Sequence, residues 1–155
     1  MKSRLNLMQV SPDAMKAMRA LQSHVDASAL EHSLLELVKM RASQVNGCAF
    51  CLDMHSKDAR AAGESEQRLY VLDGWREAPF YTPRERAALA WTEALTRVSE
   101  THAPDDVYEE LRGQFSEKEI ADLTMAIVAI NGWNRIAIGL RSPVGTYQPA
   151  KAKTA

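Results

Sequence analysis

An all-α fold is what this sequence predicts, and three features carry the prediction. Apolar residues recur three and four places apart along most of the 155 residues, the spacing that lines one face of a helix. Two capping boxes, Thr82-Pro83-Arg84-Glu85 and Ser116-Glu117-Lys118-Glu119, mark helix starts, where a hydroxyl residue and the third residue of the helix bond reciprocally. No stretch of useful length alternates apolar and polar residues as a half-buried strand does. The expected architecture is a single-domain helical bundle over residues 1–141, with about six or seven helices and a core completed by oligomerisation. A loose tail or arm is expected over residues 142–155, where two prolines, a glycine and several small residues replace the helical pattern.

The elements follow in order. Ser11-Pro12-Asp13 reads as a helix start with Ser11 as cap and Pro12 in the first turn, followed by Met15, Met18, Leu21 and Val25 at helical spacing. A second helix is predicted from Glu31 to about Gln44, burying Leu34, Leu35, Val38 and Ala42. Asn46-Gly47 breaks that pattern, and a third helix runs from near Cys48 to Ala62, with Gly63 as its left-handed terminator. A shorter helix is expected over Ser65–Leu72. The first capping box opens a helix to about Ser99, with Leu89, Ala90, Trp91, Ala94, Leu95 and Val98 as its apolar face. Pro104-Asp105-Asp106 starts a short helix ending near Gly113. The second capping box opens the longest helix, to about Leu140. Ile120, Leu123, Ile127, Val128, Ala129 and Ile130 make it apolar on more than one side, so it is central in the fold or shared with a neighbouring subunit.

Composition narrows the function classes. Nineteen basic and twenty acidic residues leave a formal charge of -1, spread along the chain, with no basic cluster for nucleic acid. The segment Met1–Met8 lacks the apolar run of a signal peptide, and no apolar run reaches the roughly 18–20 residues needed to span a bilayer. A cytoplasmic location is therefore expected, with neither nucleic acid nor membrane as partner. A chain of this size buries roughly 68–70% of its unfolded surface and needs no disulfide staple. In a reducing compartment a close cysteine pair reads instead as redox or metal chemistry.

Both cysteines lie in Asn46-Gly47-Cys48-Ala49-Phe50-Cys51-Leu52-Asp53-Met54-His55. Unpaired N–H groups and the positive dipole end favour a thiolate in a first helical turn, lowering a thiol from its free value of about 8.5. Cys48, Cys51 and His55, at i, i+3 and i+7, share one helix face. There the imidazole can pair with a thiolate or move a proton. Glu36, on the preceding helix, comes to the same site if a short turn packs the two helices together. Helix electrostatics alone favour the first cysteine of a CxxC as the low-pKa thiol. A zinc site made of Cys48, Cys51, His55 and Glu36 competes with the redox reading. It lacks the second cysteine or histidine pair that cysteine-built zinc sites usually carry. His24, His32 and His102 read as surface residues, and Met15, Met18, Met40, Met54 and Met125 as core. Asp53 and Asp58 belong on a solvated face beside the site.

The pattern Glu36-x11-Cys48-x2-Cys51-x3-His55, the run Glu36–Cys48 and the distal Ala129-Ile130-Asn131-Gly132-Trp133-Asn134-Arg135 resemble the alkylhydroperoxidase D-like branch of the carboxymuconolactone decarboxylase superfamily. The resemblance spans about Pro12 to Leu140. It implies an all-helical protein assembled as trimers or hexamers that reduces organic hydroperoxides without a bound cofactor. It also implies roles: Cys51 reacts with the peroxide, Cys48 resolves the product as a disulfide, and Glu36 and His55 relay protons. An external dithiol, such as a lipoyl carrier or a thioredoxin-like protein, then restores the thiols. Phe50 stands where the best-known member has a histidine between its cysteines. Asn131, Trp133, Asn134 and Arg135 read as a buried polar network or a subunit contact. The competing functions are a decarboxylase (lyase) of the superfamily's lactone-acid type, whose members generally lack the cysteine pair, and a non-enzymatic redox sensor.

Overall fold

The computed structural model describes residues 2–149, which form nine α-helices and one 3₁₀ turn. The helices are α1 (Leu7–Val10), α2 (Pro12–Asp26), α3 (His32–Asn46), α4 (Ala49–Ala61), α5 (Glu66–Tyr70), α6 (Pro83–Thr96), α7 (Val98–Thr101), α8 (Asp105–Arg112) and α9 (Glu117–Leu140). The 3₁₀ turn is Leu72–Gly74. There are no strands among the described residues, so the all-α class stands.

The middle of the bundle is α3, which packs against α4, α6 and α9. Every residue from Leu34 to Ser43 is buried, including Glu36, Lys39 and Arg41. A helix buried on all its faces must satisfy its polar groups internally, because an unpaired buried charge is prohibitively costly. Leu34, Leu35 and Val38 join α6 and α9 residues in the larger apolar cluster, while Leu37 and Met40 join Leu69, Leu72, Trp75 and Leu89 in a second. Truncating Leu37, which is fully inaccessible, to Ala is expected to cost about 2–5 kcal/mol.

Both capping boxes form as the sequence predicts. The Glu85 N–H donates to Thr82 Oγ1 and the Thr82 N–H to Glu85 Oε2, with Ser116 and Glu119 repeating the pattern at α9. Gly47 has φ +67° and closes α3 as a left-handed cap, while the Cys48 N–H reaches back to the Ser43 carbonyl at 2.9 Å. That tight reversal sets the start of α4. Gly63, φ +95°, ends α4 in the same manner.

Several expectations need correction. Ser11 makes no side-chain cap bond; its N–H instead closes the short α1 on the Leu7 carbonyl. The helix opened by Thr82 stops at Thr96, because the Thr101 hydroxyl takes the Ala94 carbonyl at 2.7 Å and turns the chain, leaving Val98 51% exposed rather than on the buried face. Met125 and Val128 are also exposed, because no element among the described residues covers that side of α9. Otherwise α9 is central, in contact with α2, α3, α4, α6 and α8. By length and composition alone α9 is apolar enough to cross a membrane, but it also serves as a packing helix of the bundle. Of the expected loose tail, residues 142–149 run along α4 in hydrogen-bonded contact with it, and residues 150–155 lie outside the described residues.

Candidate active site

The reversal at Gly47 makes Cys48 the N-cap of α4, with φ −85° and ψ 93°, and puts Cys51 in the first turn. The sulfurs are free, buried and 2.9 Å apart. A charge on Cys48 is held by the Cys51 thiol, its largest stabilisation. Burial opposes it, and the N–H groups of Cys51 and Phe50 add to it, so the Cys48 thiol comes down to about 7. Cys51 moves the other way, raised by its bond to Cys48 and by burial. The first proton lost by the pair thus comes from Cys48, whose thiolate is held by the proton that Cys51 keeps. Asn134, fully buried on α9, lies beside both sulfurs and donates to Ser43 Oγ at 3.1 Å.

One helical turn beyond Cys51, His55 places Nδ1 3.0 Å from Glu36 Oε2, and Lys39 Nζ lies 2.9 Å from Glu36 Oε1. Burial raises the Glu36 carboxyl, but the His55 contact and the Lys39 charge outweigh it and bring it down to about 2. A carboxylate there can only accept, so Nδ1 carries the proton that donates to it and Nε2 is the nitrogen left for chemistry. Glu36 and His55 are thus in direct contact, and His55 stands on the Cys51 face of α4, as expected. Asp58, one turn further, brings a carboxylate within 4.8 Å of both and accepts from Tyr147 Oη at 2.7 Å.

These groups face a cavity of about 840 Å³ between α2, α3, α4, α9 and the 142–149 segment. Cys51, His55, Glu36 and Lys39 line it, whereas Cys48 does not. Its walls are largely apolar, with Leu35, Phe50, Met54, Trp133 and Ile136 prominent. Met15 and Met54, expected in the core, are half-buried wall residues, and His32 is exposed at the cavity. Sequence reasoning missed Lys39, whose burial shows only in the packing of α3, and Tyr147, which falls in a segment without helical pattern. Asp58 and Asn134 were recognised but given only surface and structural roles. Of the distal run, Asn131 and Asn134 form a buried polar network, in which Asn46 Nδ2 donates to both and Asn131 Nδ2 to Thr96 Oγ1, whereas Trp133 is half-buried in the cavity wall and Arg135 is exposed.

Glu36, His55 and Asp58 are the residues whose ligand atoms approach closely enough to hold a metal ion, among those described. Lys39 already places a positive charge 2.9 Å from Glu36, which opposes a second cation at the same carboxylate.

A helical bundle that buries a vicinal dithiol beside a carboxylate–imidazole pair defines the class. The chain belongs to the carboxymuconolactone decarboxylase family, whose family model matches residues 12–94. It is 41% identical over 140 residues to the uncharacterized protein YdfG of Bacillus subtilis, covering 90% of this chain and 95% of that one. The fold is AhpD-like. A solved structure of a protein of unknown function from Agrobacterium tumefaciens, provisionally described as the antioxidant defence protein AhpD, is 51% identical with a TM-score of 0.91 over 94% of this chain and all (100%) of its own. The debrominase Bmp8, 24% identical, has a TM-score of 0.80 over 90% of this chain and 75% of its own, a likeness of fold alone.

Proposed function

We propose that this chain is a thiol-dependent peroxidase that reduces alkyl and other organic hydroperoxides through a Cys48/Cys51 dithiol–disulfide cycle, as part of antioxidant defence. The observation that carries the reading is the position of Cys51. Cys51 belongs to the wall of an apolar cavity that Glu36 and His55 also line, and its sulfur is 2.9 Å from that of Cys48. The Cys51 proton passes to the Cys48 thiolate, and the Cys51 sulfur attacks the terminal peroxide oxygen. The O–O bond breaks, the alkoxide takes a proton from the relay, and Cys51 becomes a sulfenic acid. Cys48 then attacks that sulfur, water leaves and the disulfide closes. The reductant is an external dithiol, a lipoyl carrier or a thioredoxin-like protein, and no bound cofactor is required.

Two further features belong to the proposal. The protein is a homo-oligomer, trimeric or hexameric, supported by Met125 (37% exposed) and Val128 (49%), adjacent on the uncovered side of α9, with Ile138 (47%) further along. It acts in the cytoplasm, on small molecules and protein dithiols, with neither nucleic acid nor membrane as partner.

The test is consumption of cumene hydroperoxide with a regenerating dithiol, in wild type and in the separate Cys48→Ser and Cys51→Ser variants. Wild type should cycle, Cys48→Ser should yield a trapped sulfenic acid at Cys51, and Cys51→Ser should consume no peroxide. Sulfenic acid confined to Cys48 would invert the two roles. One disulfide without turnover would identify a redox sensor. Full lactone decarboxylation by a Cys48→Ser, Cys51→Ser double variant would identify a lyase.

A further inference from the structure

We propose that the segment Ser142–Pro149 is a specificity-determining strap, with Tyr147 forming the wall that selects an extended apolar hydroperoxide over small polar ones. The inference rests on the peroxidase reading and says which substrates that site prefers. The strap is fastened to α4, the helix that carries Cys51 and His55. The Gly145 N–H donates to Asp53 Oδ2 at 3.1 Å, Lys57 Nζ donates to the Tyr147 carbonyl at 3.0 Å, and Tyr147 Oη donates to Asp58 Oδ1 at 2.7 Å. Asp53 and Lys57, themselves paired at 2.8 Å, form one anchoring row on α4.

Ser142, Tyr147 and Pro149 line the same cavity as Cys51. The strap thus supplies part of the cavity wall beside α4, while Met15 and Arg19 of α2 supply another part. Burial and the Asp58 carboxylate push the Tyr147 phenol up to about 12, so it remains a neutral donor throughout the physiological range. An aromatic ring with its hydroxyl tied back presents an apolar face to whatever occupies the cavity. Hydrogen peroxide gains nothing from that face, whereas a hydrocarbon chain does. Discrimination of this kind acts on binding, so it belongs in KM for bulky substrates.

Three variants test this: Tyr147→Ala removes the wall, Tyr147→Phe keeps the ring without the Asp58 bond, and Gly145→Ala strains the strap at φ +93° without entering the cavity. The first readout is the ratio of kcat/KM for cumene hydroperoxide to that for hydrogen peroxide. Tyr147→Ala should lower this ratio roughly tenfold, through a KM that rises for cumene hydroperoxide and not for hydrogen peroxide; Tyr147→Phe should stay within about twofold, and Gly145→Ala should fall between. The second readout needs no peroxidase activity. It compares the rates at which a bulky apolar maleimide and iodoacetamide alkylate Cys51 in a Cys48→Ser background, and Tyr147→Ala should lower that ratio too. If the wild type reduces no peroxide, the peroxidase reading fails and the alkylation ratio still judges the strap. Wild-type ratios in both Tyr147→Ala and Gly145→Ala would overturn the proposal.

Discussion

At the residue scale the site is governed by which atoms hold negative charge. Cys48 carries it because the Cys51 thiol and the first N–H groups of α4 point at its sulfur. Thiolate absorbance near 240 nm should therefore titrate with a midpoint of about 7, and Cys51→Ala, which removes the largest stabilisation, should move it toward 9.0. A midpoint unchanged by that substitution would refute the hold of the Cys51 proton on that thiolate. Glu36 holds the second charge, and Glu36→Gln, which keeps the shape but ends the ionic partnership with His55, should lower peroxide turnover about 10²–10³-fold. If turnover with the variant matched wild type, the proton relay would have no role. The Glu36 carboxyl titrates below its ordinary value of 4.5, at about 2, so its stabilisation is complete above 4.5 and is lost as pH falls toward 2. Glu93 shifts downward as well: burial opposes the shift, and Trp75, Arg76 and Arg41 overcome it. Thermal unfolding should accordingly hold steady from neutrality to about pH 5 and drop steeply below. The contact of Glu36 with His55 was legible from the short turn between their helices together with the family pattern Glu36-x11-Cys48-x2-Cys51-x3-His55. Lys39 was not, because a lysine three residues from a glutamate looks like any surface pair until α3 is seen to be buried all round.

At the element scale the helix ends were the most legible features, because Thr82, Ser116, Gly47 and Gly63 each do local work that needs no tertiary partner. The break at Arg97 was not, since it depends on a hydroxyl seven residues beyond the carbonyl it takes. Burial of α3 is sustained by long-range ion pairs that a linear reading does not reveal. Glu93 on α6 accepts from Arg41 Nε at 2.7 Å, Trp75 Nε1 at 2.8 Å and Arg76 Nη1 at 2.6 Å, and Arg41 also pairs with Asp73. Glu93→Ala leaves Arg41 buried without its main partner and should destabilise the protein by about 3–5 kcal/mol in denaturant unfolding. Glu109→Ala, which breaks an exposed, solvent-screened pair with Arg112, should leave the unfolding midpoint essentially unchanged. Equal costs would mean that the α3–α6 tie is not what holds the buried charges.

For the whole molecule, the bundle puts Cys51, the Glu36–His55 pair and an apolar cavity together between α3 and α4, and among the described residues it leaves part of α9 exposed. The fold class and the length of α9 were readable because periodicity and caps agree over long segments. The cavity and the strap were not, because both depend on how α2, α9 and residues 142–149 come together. Replacing Met125 and Val128 together by Glu should leave helical content intact while lowering the solution mass from a multiple of the 17.2 kDa chain toward a single chain. An unchanged mass would place the subunit contact elsewhere. The central claim is that Cys48 and Cys51 act as one two-electron unit toward hydroperoxides. Its most direct measurement is the intact mass of the reduced protein after one equivalent of cumene hydroperoxide at neutral pH, with the organic product quantified alongside. The expected result is a loss of two hydrogens per chain, a Cys48–Cys51 disulfide and one cumyl alcohol for each. Both thiols still free with the peroxide intact would contradict it.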